Sequence, residues 1–201
     1  MSGMDDVRVV PANEADWDEI DLIIGKARCH GRACYCQRFK MPLADWAATP
    51  DEVRAHDLRE QTGAGDAAAS TSGLIAYVAD EPAAWCNVEP RSAFPKLPPA
   101  RAAWTERAQD PADARVWAIT CFFTRAGFRR SGITALLTEA AVDFARVRGA
   151  KALEAYPMIA EQGADITWGE LHVGARSVFA AAGFREVAHP TKRRVVMRMD
   201  F

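Results

Sequence analysis

The stretch RVWAITCFFTRAGFRRSGITALL, residues 115–137, carries the strongest structural pattern in the chain. Residues 115–123 are almost all β-branched, aromatic or otherwise apolar, which is typical of a strand buried on both faces. Residues 132–149 have apolar side chains at helical spacing and end in a glycine, a natural helix stop. The stretch therefore predicts a buried strand, a glycine-containing turn and a helix.

The turn between this strand and this helix is suited to phosphate. A helix begins with unpaired backbone N–H groups and the positive end of its dipole. Arg129 and Arg130 add positive charge, and Gly132 lets the backbone approach a ligand closely. The alternative is a solvated basic turn that only caps the helix. The turn has neither the spacing of a Walker loop nor that of a dinucleotide-binding glycine motif.

Predicted strands and helices alternate along the rest of the chain. Asn13 is placed to cap a helix over residues 14–27, and Gly183 to end another over residues 172–183. The other predicted elements are a helix from about residue 49 to residue 60 and strands at residues 7–10, 74–80, 83–90, 152–157, 184–190 and 193–201. The second and third of these strands form a predicted hairpin. A length of 201 residues leads us to expect one domain over residues 1–201.

The overall composition argues against several classes of partner. Hydrophobic residues make up 49% and charged residues 26%, and the net charge of -2 offers no broad attraction to nucleic acid or anionic lipid. Apolar runs are far shorter than the ~20 residues that span a bilayer. The N-terminus is acidic where a signal peptide would be basic. We therefore expect a cytoplasmic protein with no nucleic-acid and no membrane partner.

Two motifs lead to a resemblance. RRSGIT, residues 129–134, resembles the R/Q-x-x-G-x-G/A motif of the GNAT superfamily of acyl-CoA-dependent N-acyltransferases. HVGARSVFAAAGF, residues 172–184, has the spacing of that family's N-x-x-A-x-x-x-Y-x-x-x-G-F helix. The order of the predicted elements fits as well. The resemblance implies an α/β (α+β) fold with a mixed, mostly antiparallel central sheet, a splayed middle strand and flanking helices.

The resemblance also implies a cosubstrate. The turn would hold the pyrophosphate of acetyl-CoA, and backbone groups of the splayed strand would bond its pantetheine arm. The cofactor-binding residues predicted in this way are Phe122, Phe123, Thr124, Arg129, Arg130, Ser131, Gly132, Ile133, Thr134 and His172. The expected reaction is direct transfer of an acetyl group to a primary amine of a small-molecule acceptor, with no metal, by a monomer or homodimer.

Three residues depart from the family pattern. Thr134 replaces a small Gly or Ala, and His172 stands where the family often has Asn. Phe179 replaces the Tyr that commonly protonates the departing thiolate. Because Phe179 cannot ionise, a non-catalytic acyl-CoA-binding or regulatory module is the alternative hypothesis.

The reaction needs groups that move protons. The resemblance implies a carboxylate that acts through water as the general base, and Glu89 and Glu154 are the candidates. Tyr156, and more weakly Cys121, are candidates for the general acid. The simpler interpretation makes each glutamate a surface or ion-paired residue and Cys121 a small hydrophobe in a buried strand.

The segment CHGRACYCQRFK, residues 29–40, concentrates cysteine and histidine. A metal-binding interaction module is a third hypothesis, but no second Cys/His pair follows at zinc-finger spacing. An odd number of cysteines without an export signal favours free thiols over disulfides. The resemblance implies that this segment borders the acceptor pocket, which makes Tyr35 and Gln37 the predicted substrate contacts.

Overall fold

The computed structural model describes residues 6–29, 31–97, 104, 107–160 and 168–201. The described helices are α1 (Trp17–Ile24), α2 (Leu43–Ala48), α3 (Asp51–Thr62), α4 (Ile133–Val147), α5 (Trp168–Leu171) and α6 (Arg176–Ala181). The described strands are β1 (Val7–Pro11), β2 (Arg28–Cys29), β3 (Arg32–Ala33), β4 (Gly73–Val78), β5 (Glu81–Pro90), β6 (Val116–Thr124), β7 (Ala152–Ala155), β8 (Arg185–Thr191) and β9 (Arg194–Asp200).

One sheet organises these elements. Its strands lie in the order β1-β4-β5-β6-β7-β9-β8. The pair β6 and β7 is parallel, and every other neighbouring pair is antiparallel. The short strands β2 and β3 form a separate hairpin. The mixed, mostly antiparallel sheet predicted from the sequence is confirmed, as is the β4–β5 hairpin.

A β-bulge separates the end of β6 from β7. Thr120 is an extra residue between Ile119 and Cys121, which pair with consecutive residues of β5. The Thr120 hydroxyl donates to Asn87 Oδ1 at 2.7 Å. Pairing with β7 ends at Ile119, whereas β6 continues to Thr124. The last part of β6 therefore has an open edge, as expected for a splayed middle strand.

Helices cover both faces of the sheet. On one face, Leu137 of α4 packs in a buried cluster with Phe122. On the other face, Ile20 and Ile23 of α1 pack against Trp85. Burial of each such side chain contributes about 1.5–3 kcal/mol, so these contacts hold the helices on the sheet. Within the described ranges, no helix combines the length and the apolar composition needed to cross a membrane.

The first predicted helix begins later than expected. The structure starts α1 at Trp17 because Asp16 is its N-cap, and the Glu19 side chain accepts from the Asp16 N–H in a capping box. Asn13, predicted as the cap, is buried instead. Its side-chain nitrogen donates to carbonyl oxygens of the loop at residues 66–69. The prediction was wrong because a tertiary contact uses the Asn13 amide.

The predicted helix over residues 172–183 is also interrupted. It forms only as α6, and a turn separates α6 from α5. Gly174 in this turn has a φ of +83°, a region that favours glycine. A Cβ at that position would lie 2.8 Å from the Phe179 ring. The turn brings His172 against β6, where the candidate site lies.

Candidate active site

A cleft of about 620 Å³ follows the open edge of β6. It runs from the start of α4 to the end of α1 and the β2–β3 hairpin, and its volume is in the range of small-molecule sites. Ser131 is not among the residues that line it, and its hydroxyl donates to the Phe128 carbonyl at 2.7 Å. The other predicted cofactor-binding residues all line the cleft: Phe122, Phe123, Thr124, Arg129, Arg130, Gly132, Ile133, Thr134 and His172.

The start of α4 presents backbone N–H groups to the cleft. Its N-cap, Gly132, has a φ of +83° and no side chain that could accept from them. The N–H of Ala135 donates to the Gly132 carbonyl at 2.9 Å. The N–H groups of Ile133 and Thr134 precede this first helical bond and point out of the helix. Together with the helix dipole, they suit a phosphate group.

Two arginines accompany these N–H groups. Arg129 Nε donates to the Thr124 carbonyl at 3.2 Å, which holds the guanidinium beside the end of β6. Arg130 is exposed and lines the same cleft. Two guanidinium groups beside a helix start match the charge of a pyrophosphate. The residues present therefore fit the phosphate end of a coenzyme A molecule.

The open edge of β6 presents alternate peptide groups to the cleft. The Arg125 N–H donates to β5, and the strand alternation turns the Phe123 peptide toward β5 as well. The N–H groups of Phe122 and Thr124 point to the cleft side. The Phe122 N–H donates to the His172 carbonyl at 2.6 Å. In this conformation the peptide of Thr124 is the group that faces a ligand along the edge.

Thiols line the cleft near α1. Cys29, Cys34 and Cys121 lie on its surface. Cys36 lies beneath them and accepts a hydrogen bond from Trp85 Nε1 at 3.2 Å. A hydrogen bond with Cys36 is the largest cause that raises the pKa of Cys121, and burial is the second. The Cys121 thiol therefore keeps its proton at neutral pH and is a poor nucleophile.

The cysteine cluster carries no sign of a metal. Among the described residues, the cysteines Cys29, Cys34, Cys36, Cys86 and Cys121 form no disulfide. In the part of the chain that the structure describes, no group of three or more His, Cys, Asp or Glu side chains could hold a metal ion. His30, the histidine of the segment, lies outside the described residues. Cys29, Cys34 and Cys121 contribute small side chains to the cleft wall.

The predicted substrate contacts lie behind the cleft wall. The Tyr35 hydroxyl donates to Asp21 Oδ1 of α1 at 2.8 Å. Gln37 is only 1% exposed, and its Nε2 donates to the Tyr35 carbonyl and to Gln61 of α3. Neither Tyr35 nor Gln37 is among the residues that line the cleft. Both tie the cysteine segment to the helices behind it.

Glu89 lies on the face of the sheet that carries α1 and, like Glu154, is not among the residues that line the cleft. Its neighbour Val88 packs on the α4 face, and alternation turns Glu89 the other way. Lys40 Nζ lies 2.5 Å from Glu89 Oε1. Burial raises the pKa of Glu89, and Lys40 opposes this shift. Asn87, which also accepts from Thr120 at the bulge, donates to Glu89 Oε1 at 3.4 Å. A buried polar chain thus links Glu89 to the open part of β6.

Glu154 and Tyr156 belong instead to a buried network of ion pairs and hydrogen bonds. Glu154 is 0% exposed and ion-paired with Arg91, Arg107 and Arg198. Burial opposes its ionisation, but the three arginines outweigh burial and lower the pKa of Glu154. The Tyr156 hydroxyl donates to Glu154 Oε2 at 3.0 Å. Burial and the Glu154 charge raise the pKa of Tyr156. Neither side chain lines the cleft.

Sequence reasoning missed the basic residues near α1. Lys26 and Arg28 line the cleft, and Lys40 pairs with Glu89. Arg38 Nη1 lies 3.6 Å from Cys29 Sγ. In the sequence, the signal was their position just before the cysteine segment and at its C-terminal end. Basic residues at such spacing are common on solvated surfaces, so the local pattern did not single them out.

Solved N-acetyltransferase structures share this architecture. A GCN5-related N-acetyltransferase from Kribbella flavida matches with a TM-score of 0.54 and 18% identity over 99% of this chain and 100% of that one. A GNAT-family acetyltransferase from Streptococcus pneumoniae matches with a TM-score of 0.53 and 15% identity over 98% of this chain and 100% of that one. No protein-family model and no curated protein matches the chain. The chain has the GNAT fold, as the sequence motifs predicted.

Proposed function

We propose that this protein is a GNAT acyltransferase that moves an acetyl group from acetyl-CoA to a primary amine of a small-molecule acceptor. The observation that carries the proposal is the continuous cleft along β6. At one end, Arg129, Arg130 and the first N–H groups of α4 suit a pyrophosphate. From there a pantetheine arm would follow the open strand edge like an added strand. The acceptor would enter from the side of α1.

Acetyl-CoA supplies a thioester: the amine nitrogen bonds to the acetyl carbon, the carbon–sulfur bond breaks, and the amine proton lost is matched by one gained at sulfur. Arg129 and Arg130 hold the phosphates, and the Thr124 peptide orients the arm. The aromatic side chains of Phe122 and Phe123 keep water from the cleft wall. Such positioning supplies a large part of the rate enhancement in a reaction of this kind.

Glu89 is the better candidate for the general base. Burial raises its pKa, which makes the carboxylate more basic, and it lies on the face from which an acceptor would enter. Glu154 has a lowered pKa and is held by arginines such as Arg91 and Arg198. A carboxylate in that state takes up a proton poorly. We therefore assign the base to Glu89, acting through water.

Replacing Glu89 by glutamine tests this assignment. We expect Glu89→Gln to lower kcat/KM for the amine by about 10²- to 10⁴-fold, because the amine then loses its proton acceptor. Wild-type kcat/KM should fall as the pH drops through the raised pKa of Glu89, and the variant should lack this dependence. Glu81→Gln, at the exposed start of β5, is the control. A wild-type pH–rate profile in Glu89→Gln would exclude Glu89 from the reaction.

A non-catalytic acyl-CoA-binding or regulatory module is the second candidate. Two observations favour it. Phe179 is 0% exposed and packs against the rings of Phe122 and Phe184, with centroids 5.9 and 5.3 Å away. The position at which the family often has Tyr thus offers no proton donor. The Phe122 N–H, which could polarise a thioester carbonyl, already donates to His172.

Binding and turnover measured together separate the two candidates. Acetyl-CoA at 100 times its Kd is expected to stabilise the folded protein by about 2.7 kcal/mol, which a thermal melt detects. Release of CoA thiol that depends on an added primary amine would support the transferase. Binding without release for any amine would support the module. Absence of thermal protection by acetyl-CoA would contradict both.

A further inference from the structure

The cleft has positive charge at both ends. Arg129 and Arg130 lie at the end near α4, and Lys26 and Arg28 lie at the end near α1. None of the described residues that line the cleft is Asp or Glu. The pyrophosphate of acetyl-CoA would account for the charge near α4. It leaves the charge near α1 without an assigned counter-ion.

Arg38 adds to the charge near α1. Its Nη1 lies 3.6 Å from Cys29 Sγ, and the ring of Phe39 lies 6.3 Å from the His172 ring. Neither Arg38 nor Phe39 lines the cleft itself, but each contacts a residue that does, Cys29 for Arg38 and His172 for Phe39. The Arg38 guanidinium also lies 5.6 Å from the centre of the Trp46 ring, which limits its movement.

Two more cations converge on Arg38. The backbone N–H of Lys96 donates to the Phe39 carbonyl at 3.3 Å. Burial and then the Arg38 charge lower the pKa of Lys96. Burial also lowers the pKa of Arg194; the Glu170 charge opposes this shift, and Arg193 and Arg38 add to it. Arg38, Lys96 and Arg194 are here called the Arg38 cluster. Arg38 acts by its charge on both other members, and a bound anion would relieve that repulsion.

The nearby carboxylates form their ion pairs with other cations. Glu89 pairs with Lys40 at 2.5 Å, and Glu170 pairs with Arg193 at 3.1 Å while its charge also acts on Arg194. Across the residues that the structure describes, no carboxylate lies at ion-pair distance from a member of the Arg38 cluster. The cluster is thus positioned to bind an anion that comes from outside the chain.

We propose that the acceptor of this protein is an amine that also carries an oxyanion, such as the carboxylate of an amino acid, and that the Arg38 cluster binds this oxyanion. The proposal rests on the proposed transferase function and names its substrate class. Guanidinium and ammonium groups bind carboxylate and phosphate oxygens through charge-assisted hydrogen bonds. Polyamines and aminoglycosides would bring further positive charge to a cationic site and are disfavoured.

Matched acceptors test the proposal. CoA release is measured with phenylalanine against phenylalaninamide, and with O-phosphoethanolamine against ethanolamine, using spermidine as the polycation. Each pair keeps the amine and removes the anion. We expect the anionic member to have a kcat/KM at least about tenfold higher, the ratio that one charge-assisted hydrogen bond supplies. The two pairs also distinguish a carboxylate site from a phosphate site.

Variants connect this preference to the Arg38 cluster. In Arg38→Met and Lys96→Met, the ratio between the anionic and the neutral acceptor is expected to fall toward one, and Arg38→Lys should restore part of it. Arg32→Met, which removes an exposed arginine of β3, should keep the wild-type ratio. Thermal protection by acetyl-CoA identifies the variants that remain folded.

Each result decides the question. Equal turnover of both members of each pair, or a preference for spermidine, would overturn the proposal and leave the transferase function standing. If acetyl-CoA binds but no amine is turned over, the transferase function fails. The anion site is then tested by calorimetric titration of CoA-saturated protein with phenylalanine and with phenylalaninamide. Binding of phenylalanine but not its amide, lost in Arg38→Met, would support the anion site. Equal binding or no binding would overturn it.

Discussion

Glu154→Gln is expected to lower the free energy of unfolding by about 3–5 kcal/mol, because it removes the buried carboxylate that three arginines share, of which Arg198 keeps its pair with Asp200. Arg91 and Arg198 lie 3.2 and 2.8 Å from the Glu154 oxygens, and Arg107 pairs with the same carboxylate. A glutamine amide fits the space but carries no charge. Urea titration of wild type and variant at neutral pH measures the difference.

The pH dependence of this effect has a definite sign. Because Glu154 has a folded-state pKa below its usual value of 4.5, its ionisation stabilises the protein above that value. The stabilisation is lost as the pH falls through the lowered pKa, so the gap between wild type and variant should narrow in acid. The control is Glu186→Gln, since Glu186 pairs with Arg176 in a partly exposed ion pair on the surface. Such a pair contributes at most about 1 kcal/mol. Equal losses in the two variants would contradict the account of the network.

The double variant Arg129→Glu, Arg130→Glu is expected to raise the Kd for acetyl-CoA at least about 100-fold. Each arginine is assigned a charge-assisted hydrogen bond to phosphate, a contribution of about 1.5–3 kcal/mol, and reversal of the charge adds repulsion. Both residues are exposed, so the fold should tolerate the change. Calorimetric titration with acetyl-CoA and with dephospho-CoA measures the loss.

A charge-matched control separates local from general electrostatics. Arg59→Glu, Arg146→Glu changes the net charge by the same amount at two exposed positions outside the cleft. We expect the control to keep the Kd within about twofold at physiological salt, where charges beyond ~8 Å are screened. Equal weakening in both double variants would mean that the turn before α4 does not hold the phosphates.

The turn that we propose to hold phosphate could be predicted because it is local in sequence. The strand, the turn and the helix of residues 115–137 each follow from the pattern of their own residues. The positive charge of the two arginines and the backbone freedom of Gly132 depend only on residue identity, not on how this unit packs in the fold. The structure brings His172 to the same cleft, and its contact with the pantetheine arm stays a prediction. The break in the helix after His172 was missed because it depends on the packing of Gly174 against Phe179.

The two predicted bases could not be distinguished from the sequence. Glu89 and Glu154 both follow apolar residues in predicted strands, so the strand pattern gives no basis for choosing one of them as the base. Their difference comes from partners that are distant in sequence: Lys40 for Glu89, and Arg91 with two other arginines for Glu154. Burial raises the pKa of Glu89 more than one lysine lowers it, whereas at Glu154 three arginines outweigh burial and lower the pKa. The position of Tyr35 behind the cleft wall likewise depends on a contact with α1.

The sequence by itself determined the order of the elements, the GNAT-like turn and the absence of an ionisable group at Phe179, because each depends on residue identity and short-range spacing. Only the tertiary structure decided which charges meet. The Arg38 cluster joins residues from three distant segments, and its effect depends on distance and on exclusion of water. Those two quantities arise when the sheet forms and the segments pack on it, so no local pattern contains them.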